Sequence, residues 1–261
     1  MSRLVDCPLV TDSSRAVLVT GGSRGIGRAI ARAFAGRGDR VAVHWGASRE
    51  RAEAVLAELP GPGHVLVQAD MADAASVGAM VDAAAEALGG LDVLVNNAGV
   101  FVASPPLSAS FVEWQQVWAQ TLAVNLVGAA NATFRAVPHL RASGGGAVVN
   151  VSSRGAFRGE PDNPAYGASK AGLNAFAQSM ALALAPVGIS VTCVAPGFVQ
   201  TEMAREVLDG PAGDAVRAQS PFGRVARPEE VASAVLWLAS PEARFSTGTI
   251  VDVNGASYLR S

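Results

Sequence analysis

Seven short runs of β-branched and other apolar residues recur along the chain. They are AVLVT (16–20), RVAVHW (40–45), HVLVQAD (64–70), LDVLVNN (91–97), GAVVNVSS (146–153), ISVTCVAP (189–196) and GTIVDVNG (248–255). Between them lie longer Ala-rich segments of helical period: RGIGRAIARAFAGRG, SRERAEAVLAEL, DAASVGAMVDAAAEAL and YGASKAGLNAFAQSMALALAP. Near-continuous apolar strands indicate burial on both faces, as in a parallel sheet covered by helices. The pattern predicts an α/β fold: a single-domain, doubly wound sheet of about seven parallel strands with helices on both faces. No linker breaks the alternation, so residues 15–261 read as one domain and residues 1–14 as an N-terminal tail.

Two stretches fall outside the rhythm. VFVASPPLSASF (100–111) reads as a loop after the fourth strand, and PGFVQTEMAREVLDGPAGDAVRAQSPFGRVARPEE (196–230) as a long insertion with helical pieces. Doubly wound sheets bind ligands beyond the carboxyl ends of their strands. Residues 196–225 are therefore expected to form a mobile lid over a substrate.

Composition narrows the function. Half of the 261 residues are hydrophobic and 16% are charged, which suits a large core and not disorder. A formal net charge of −2 supplies no basic footprint for nucleic acid. No apolar stretch reaches the roughly 18 residues of a membrane span. The opening MSRLVDCPLVTDSSR is interrupted by Asp6 and Pro8 and does not read as a signal peptide, so a cytoplasmic location is expected. Cys7 and Cys193 form no CxxC pair, and His44, His64 and His139 lack metal-ligand spacing, so no metal is expected.

Candidate chemistry begins at TGGSRGIG (20–27), where the first strand meets the first helix. Backbone amides and the helix dipole favour an anion there, and Gly21, Gly25 and Gly27 let the backbone turn and approach one. A simple tight turn is the competing explanation; the place in the first strand–helix unit favours a dinucleotide. The second strand, VAVHWGASRE, offers no acid before Glu50 for a ribose 2′-hydroxyl. Arg24, Ser48 and Arg49 suit a 2′-phosphate instead, or are solvated surface residues; the missing acid tips the expectation to NADP(H). Asp70 is placed to accept from an adenine amino group, with Met71 beside the ring, or to cap a helix, a role Asp73 fills better. In NNAG (96–99), Asn96 and Asn97 either lie against the cofactor or satisfy a turn.

Tyr166 and Lys170 stand at i and i+4, on one face of a helix. A phenol of pKa about 10 exchanges protons poorly at neutral pH unless a nearby cation favours phenolate. Ser153, thirteen residues before Tyr166, is placed to hold a carbonyl oxygen beside it.

TGGSRGIG, Asp70, NNAG, Asn125 in TLAVNLVG, Ser153, Tyr166-x-x-x-Lys170 and PGFVQT together make nearly the whole chain resemble the short-chain dehydrogenase/reductase family, including members similar to 3-oxoacyl-[acyl-carrier-protein] reductase. The resemblance implies a Rossmann-type fold. It implies that Tyr166 is the general acid in reduction, that Ser153 orients the carbonyl, and that Lys170 holds the nicotinamide ribose and lowers the tyrosine pKa. Asn125 would hold a relay water. The implied NADP(H) contacts are Gly21, Ser23, Arg24, Gly25, Ile26, Gly27, Trp45, Ser48, Arg49, Asp70, Met71, Asn97, Ala98, Gly99, Tyr166, Lys170, Pro196, Gly197, Val199 and Thr201. A homotetramer, or less often a dimer, is implied as well.

The substrate is less defined. The expected activity is NADPH-dependent reduction of a small-molecule ketone or other carbonyl to a secondary alcohol. Alcohol or sugar dehydrogenation and a non-catalytic NADPH sensor are the alternatives. Val187 stands where acyl-carrier-protein reductases often carry a basic residue, which weakens that assignment. Asn254 stands where relatives often have Asp, a change not expected to touch chemistry. Ala156, Phe157, Phe198, Met203, Val207 and Phe222 are candidates for an apolar pocket, or equally for core. Arg154 and Arg158 of RGAFRGE either face the site mouth and favour an anionic substrate, or lie in a solvated loop with Glu160.

Overall fold

The computed structural model describes residues 14–260. Seven strands pair in the order β3-β2-β1-β4-β5-β6-β7, every pair parallel. They span β1 Ala16–Val19, β2 Arg40–Trp45, β3 Val65–Gln68, β4 Val93–Asn96, β5 Gly146–Val151, β6 Ile189–Pro196 and β7 Ile250–Val253. The helices are α1 Gly25–Ala35, α2 Arg49–Glu58, α3 Ala74–Leu88, α4 Phe111–Leu122, α5 Ala129–Ala142, α6 Pro164–Leu184, α7 Glu202–Asp209, α8 Gly213–Ala218 and α9 Pro228–Leu238. Each of the seven apolar runs contains one strand.

Side chains that alternate along each strand feed two separate cores. Ala16 and Leu18 of β1 pack with Val77, Val81 and Leu88 of α3, Leu140 of α5 and Ala177 of α6. Val17 and Val19 face the opposite side, with Ile30 and Phe34 of α1, Val55 of α2 and Val231 and Val235 of α9. Burial on both faces is why the strands read as continuous apolar runs. Cys193 is in the first core; Cys7 lies outside the described residues.

Local chemistry sets the helix ends. Asp73 caps α3 by accepting from the Ala75 and Ser76 amides, and Gly89, at φ +71°, closes it in the left-handed region. Ser110 and Glu113 form a reciprocal capping box that starts α4 directly after the 100–110 loop. Pro164 occupies the first turn of α6. Between α4 and α5 the helix widens into a π-helical segment, Ala123–Gly128, which contains Asn125. Gly128 is required there, because a Cβ would sit 2.4 Å from the Met71 carbonyl oxygen.

Candidate active site

Strand order reverses between β1 and β4, and the segments leaving these two strands meet at that point. Thr20 Oγ1 accepts from the Asn97 and Ala98 amides at 2.9 and 3.0 Å. The Asn97 side chain donates to the Thr20 and Gly21 carbonyls at 2.9 and 3.1 Å. Gly21 and Gly25 have φ of +64° and +52°, a region that favours glycine. Gly27 is demanded by packing: its Cβ would lie 2.1 Å from Gly21 O and 2.5 Å from Asn97 Nδ2. Protein backbone, and not only a ligand, therefore excludes a side chain at Gly27.

A buried histidine holds the same loop. His44 Nδ1 accepts from the Gly21 amide at 2.9 Å, and Nε2 lies 3.2 Å from the Ala69 carbonyl. These partners fix the neutral tautomer with hydrogen on Nε2. Burial holds the pKa below 6.5, opposed in part by the Ala69 bond. In the sequence His44 stands out only as one of three histidines without metal-ligand spacing; its loop-holding role depends on the pairing of β2 with β1, which motif spacing does not display.

Helix α1 begins without a side-chain cap at Arg24 and without an acid in its first turn. Its first amides are therefore left to an anion or solvent, and the loop fits a dinucleotide pyrophosphate. Arg24 is exposed, and its side chain makes no hydrogen bond to a described residue. Trp45 is half-buried at the end of β2. Ser48 caps α2, and Arg49 pairs with Glu53 at 2.8 Å on the surface. Asp70 is exposed, and its Oδ1 accepts from the Ala72 amide at 2.9 Å.

Three side chains weighed for the cofactor site turn inward. That of Met71 is 7% exposed and packs in the α3-side core, beneath the π segment and α3. The Val199 side chain is likewise buried in the other core, held by the Val199–Ala226 bridge. Asn96 points into the protein, its amide nitrogen donating to Thr133 Oγ1 and Asn150 Oδ1, both at 2.9 Å, which favours the structural alternative. Of the residues after β6, Thr201 Cγ2 would lie 3.3 Å from a Cβ on Gly25, so the glycine loop abuts the start of α7. Pro196 ends β6, and Gly197 follows, packed against Asn254 and Ser257.

The candidate catalytic residues converge from β5, α6 and the π segment. Lys170, 4% exposed, donates from Nζ to the Val151 carbonyl at 2.8 Å and lies 5.7 Å from the Tyr166 ring centroid. Asn125 accepts from the Val100 amide at 2.8 Å and donates to the Val100 carbonyl at 3.0 Å and to Ser169 Oγ at 3.2 Å. Ser169 in turn donates to the Tyr166 carbonyl at 2.7 Å. Asn125 thereby joins the 100–110 loop to α6. Gly99 completes the floor: a Cβ there would come 3.2 Å from Asn125 Oδ1 and 3.6 Å from Lys170 Nζ. Ser153 follows β5, and its Oγ accepts from the Gly155 amide at 3.0 Å.

Burial dominates the electrostatics. It raises the Tyr166 phenol, against the lowering effect of the Ser153 hydroxyl, and the Glu160 carboxylate adds to the rise. The protein alone thus gives a net rise, opposite in direction to the lowering implied for Lys170. Burial also pulls the Lys170 ammonium down to about 8, with Cys193 opposing. Phe101 was not anticipated: its ring meets Tyr166 edge to face, with centroids 4.7 Å apart at 85°. It sits in the loop after NNAG, with no motif to mark it.

The six apolar pocket candidates separate. Ala156 and Phe157 line a broad groove of about 580 Å³ beside α6, together with Arg158 and Glu160. Phe198 and Phe222 line a different cavity of about 200 Å³. Met203 and Val207 are exposed and line neither. Arg154 is buried in the wall of the smaller cavity, which overturns its reading as a solvated loop residue, whereas Arg158 is exposed.

Comparison with known proteins agrees with this geometry. The family model described as enoyl-(acyl carrier protein) reductase matches residues 21–256. The 3-oxoacyl-[acyl-carrier-protein] reductase FabG of Staphylococcus aureus is 38% identical over 248 residues, covering 94% of this chain and 99% of that protein. The cis-4-hydroxycyclohexanecarboxylate dehydrogenase of Sinomonas cyclohexanicum is 39% identical over 93% of this chain and 96% of its own. A short-chain dehydrogenase from Burkholderia cenocepacia, solved in complex with NADP, superposes with a TM-score of 0.84 at 38% identity, covering 93% of this chain and 97% of that one.

Proposed function

Because the chain belongs to the short-chain dehydrogenase/reductase family of oxidoreductases, we propose that it reduces a ketone or other carbonyl, 3-oxoacyl compounds included, to a secondary alcohol with NADPH. The observation that carries this reading is the hydrogen-bonded series from Asn125 through Ser169 to the Tyr166 backbone, with Lys170 buried beside the Tyr166 ring.

When bound, the cofactor supplies a hydride to the carbonyl carbon. The Ser153 hydroxyl and the Tyr166 phenol face the oxygen on which negative charge grows; Ser153 orients it and Tyr166 gives it a proton. Lys170 keeps a positive charge near the phenol and holds the nicotinamide ribose, and Asn125 positions the water that returns the proton. Gly21, Ser23, Gly25 and Ile26 form the pyrophosphate cradle. Ala98, Gly99, Pro196, Gly197 and Thr201 border the nicotinamide. Arg24, Ser48 and Arg49 meet the 2′-phosphate, and Trp45 and Asp70 border the adenosine. Residues 196–225 act as the substrate lid.

The test is NADPH consumption across a 3-oxoacyl thioester, a cyclic ketone, a quinone and a 2-oxo acid, in the wild type and Y166F. Turnover lost in the variant supports the proposal; equal turnover in both overturns it. Alcohol oxidation is the second reading, favoured by relatives named as dehydrogenases, among them the D-threitol dehydrogenase of Mycolicibacterium smegmatis at 38% identity. We place the enzyme in the cytoplasm; no helix among the described residues is long and apolar enough to cross a membrane. Exposed Phe134 and Leu182 on α5 and α6, and Phe245 before β7, support a homotetramer or dimer.

A further inference from the structure

The cavity of about 200 Å³ is bordered by Phe198, residues around and after α8, and the C-terminal segment. Its wall does not include Ser153, Tyr166 or Lys170. Arg154 lies in that wall, 4% exposed. Its Nη1 donates to Gln219 Oε1 and Ser257 Oγ, both at 2.8 Å, and its guanidinium lies 5.3 Å from the Phe198 ring centroid. Its Nη2 and Nε make no hydrogen bond to a described residue.

The carboxylates of the wall are already engaged. Glu230 accepts from Arg224 at 2.6 and 2.7 Å, and Asp252 from Arg260 at 2.8 Å. Arg158 also donates to Gln219 Oε1, at 3.0 Å, so two guanidinium groups share one neutral oxygen. Burial and the Arg158 charge both disfavour protonated Arg154, and Glu160 offsets them only in part. A buried cation in this state gains from a bound counter-charge. Much of the remaining wall is apolar, with Phe198, Val216, Phe222 and Val253.

We propose that this cavity is a binding site for a small organic carboxylate, whose oxygens take the open edge of the Arg154 guanidinium and whose hydrocarbon body lies against Phe198, Val216 and Phe222. The apolar wall favours such a ligand over a hydrated inorganic anion. Arg154 directly follows Ser153, and its partners Gln219 and Ser257 come from the 196–225 segment and the C-terminal segment. An occupied site therefore ties the position of that segment to the backbone that carries Ser153. The site can be tested apart from the reductase reading, since the test reads binding to the protein alone and not turnover.

Butanoate is the probe, with equal sodium chloride and butan-1-ol as controls, followed by thermal unfolding and titration calorimetry. The wild type is expected to show a saturable rise in Tm with butanoate alone. R154K keeps the charge but loses the planar fork, and should weaken binding roughly tenfold, about 1.4 kcal/mol. R154Q should abolish it. Circular dichroism establishes that R154K is folded, so the conclusion does not depend on R154Q being stable. Equal effects of chloride or butanol, no saturation, or undiminished binding in R154K would overturn the proposal.

Discussion

The Lys170 ammonium donates to the Val151 carbonyl at 2.8 Å from a position that is 96% out of solvent. Burial brings its pKa from 10.5 to about 8, so the folded protein loses this proton before the unfolded chain does. Between about pH 8 and 10.5 the unfolded state binds more protons, and stability rises with pH through that window. The unfavourable contribution is fully present below about pH 8 and amounts to about 3 kcal/mol. Lys170→Met is expected to raise stability at pH 7 while abolishing turnover, with its stability advantage shrinking toward pH 10.5. Urea unfolding of both proteins at pH 7 and 10 checks this; a pH-independent difference would contradict it.

His44 has the opposite experimental window. Its folded pKa is below 6.5, and the bond from the Gly21 amide requires a neutral ring. Stability from this group is complete above about pH 6.5 and declines as pH falls toward the folded value. The wild type should lose more stability than His44→Gln between pH 7 and 5, and NADPH affinity should fall over the same range. Parallel pH profiles for the two proteins would show that the histidine does not govern the loop.

All seven strands were legible because each is buried on both faces and so stands out as an apolar run. That Tyr166 and Lys170 share one helix face was legible because α6 is regular and i, i+4 spacing sets their directions, whereas Ser153, two residues past β5, was singled out through the family resemblance. What stayed hidden was decided by distant contacts. Met71 follows a strand as an adenine neighbour would, yet packing against α3 and the π segment turns it inward. Arg154 is buried by Gln219 and Ser257, 65 and 103 residues away in sequence. The π segment at Asn125 is a change of hydrogen-bond pattern within an ordinary helical composition, so periodicity could not separate it from α4 and α5.

Gly27 and Gly38 offer a controlled comparison of two glycines. A Cβ on Gly27 meets the Gly21 carbonyl at 2.1 Å, and backbone cannot swing away as a side-chain tip does. Gly38 has φ +87° with nothing within 4 Å of its Cβ position. Gly38→Ala should therefore cost about 1–2 kcal/mol, from the left-handed backbone alone. Gly27→Ala should cost about 3 kcal/mol or more and abolish NADPH binding. Equal losses in denaturant unfolding would refute the packing argument.

Cofactor choice tests the surface that follows β2. The described structure places no acid at the end of β2, where Trp45 is followed by Gly46 and Ala47, while Arg24 and Arg49 remain exposed. Arg49 shares its charge only with Glu53 across one exposed helical turn, a pair worth about 0.3–0.5 kcal/mol and easily exchanged for a phosphate. Arg24→Ala combined with Arg49→Ala should weaken NADPH binding roughly tenfold or more while leaving NADH nearly unchanged. Fluorescence titration of both cofactors decides it, and a wild-type preference for NADH would remove the 2′-phosphate assignment.

Phe101 and Tyr166 meet as a T-shaped aromatic pair with ring centroids 4.7 Å apart, and Asn125 anchors the neighbouring residue Val100. An aromatic pair of this geometry contributes about 0.5–1.5 kcal/mol beyond burial. Phe101→Leu keeps apolar bulk but removes the ring, so it isolates the orientation of the phenol from simple cavity formation. Its expected effect is a fall in kcat of roughly threefold to tenfold, with KM for NADPH unchanged. Phe101→Tyr restores an aromatic ring and should recover most of the loss. A fall in kcat that Phe101→Tyr does not rescue would assign the residue to the substrate wall instead of to the alignment of Tyr166.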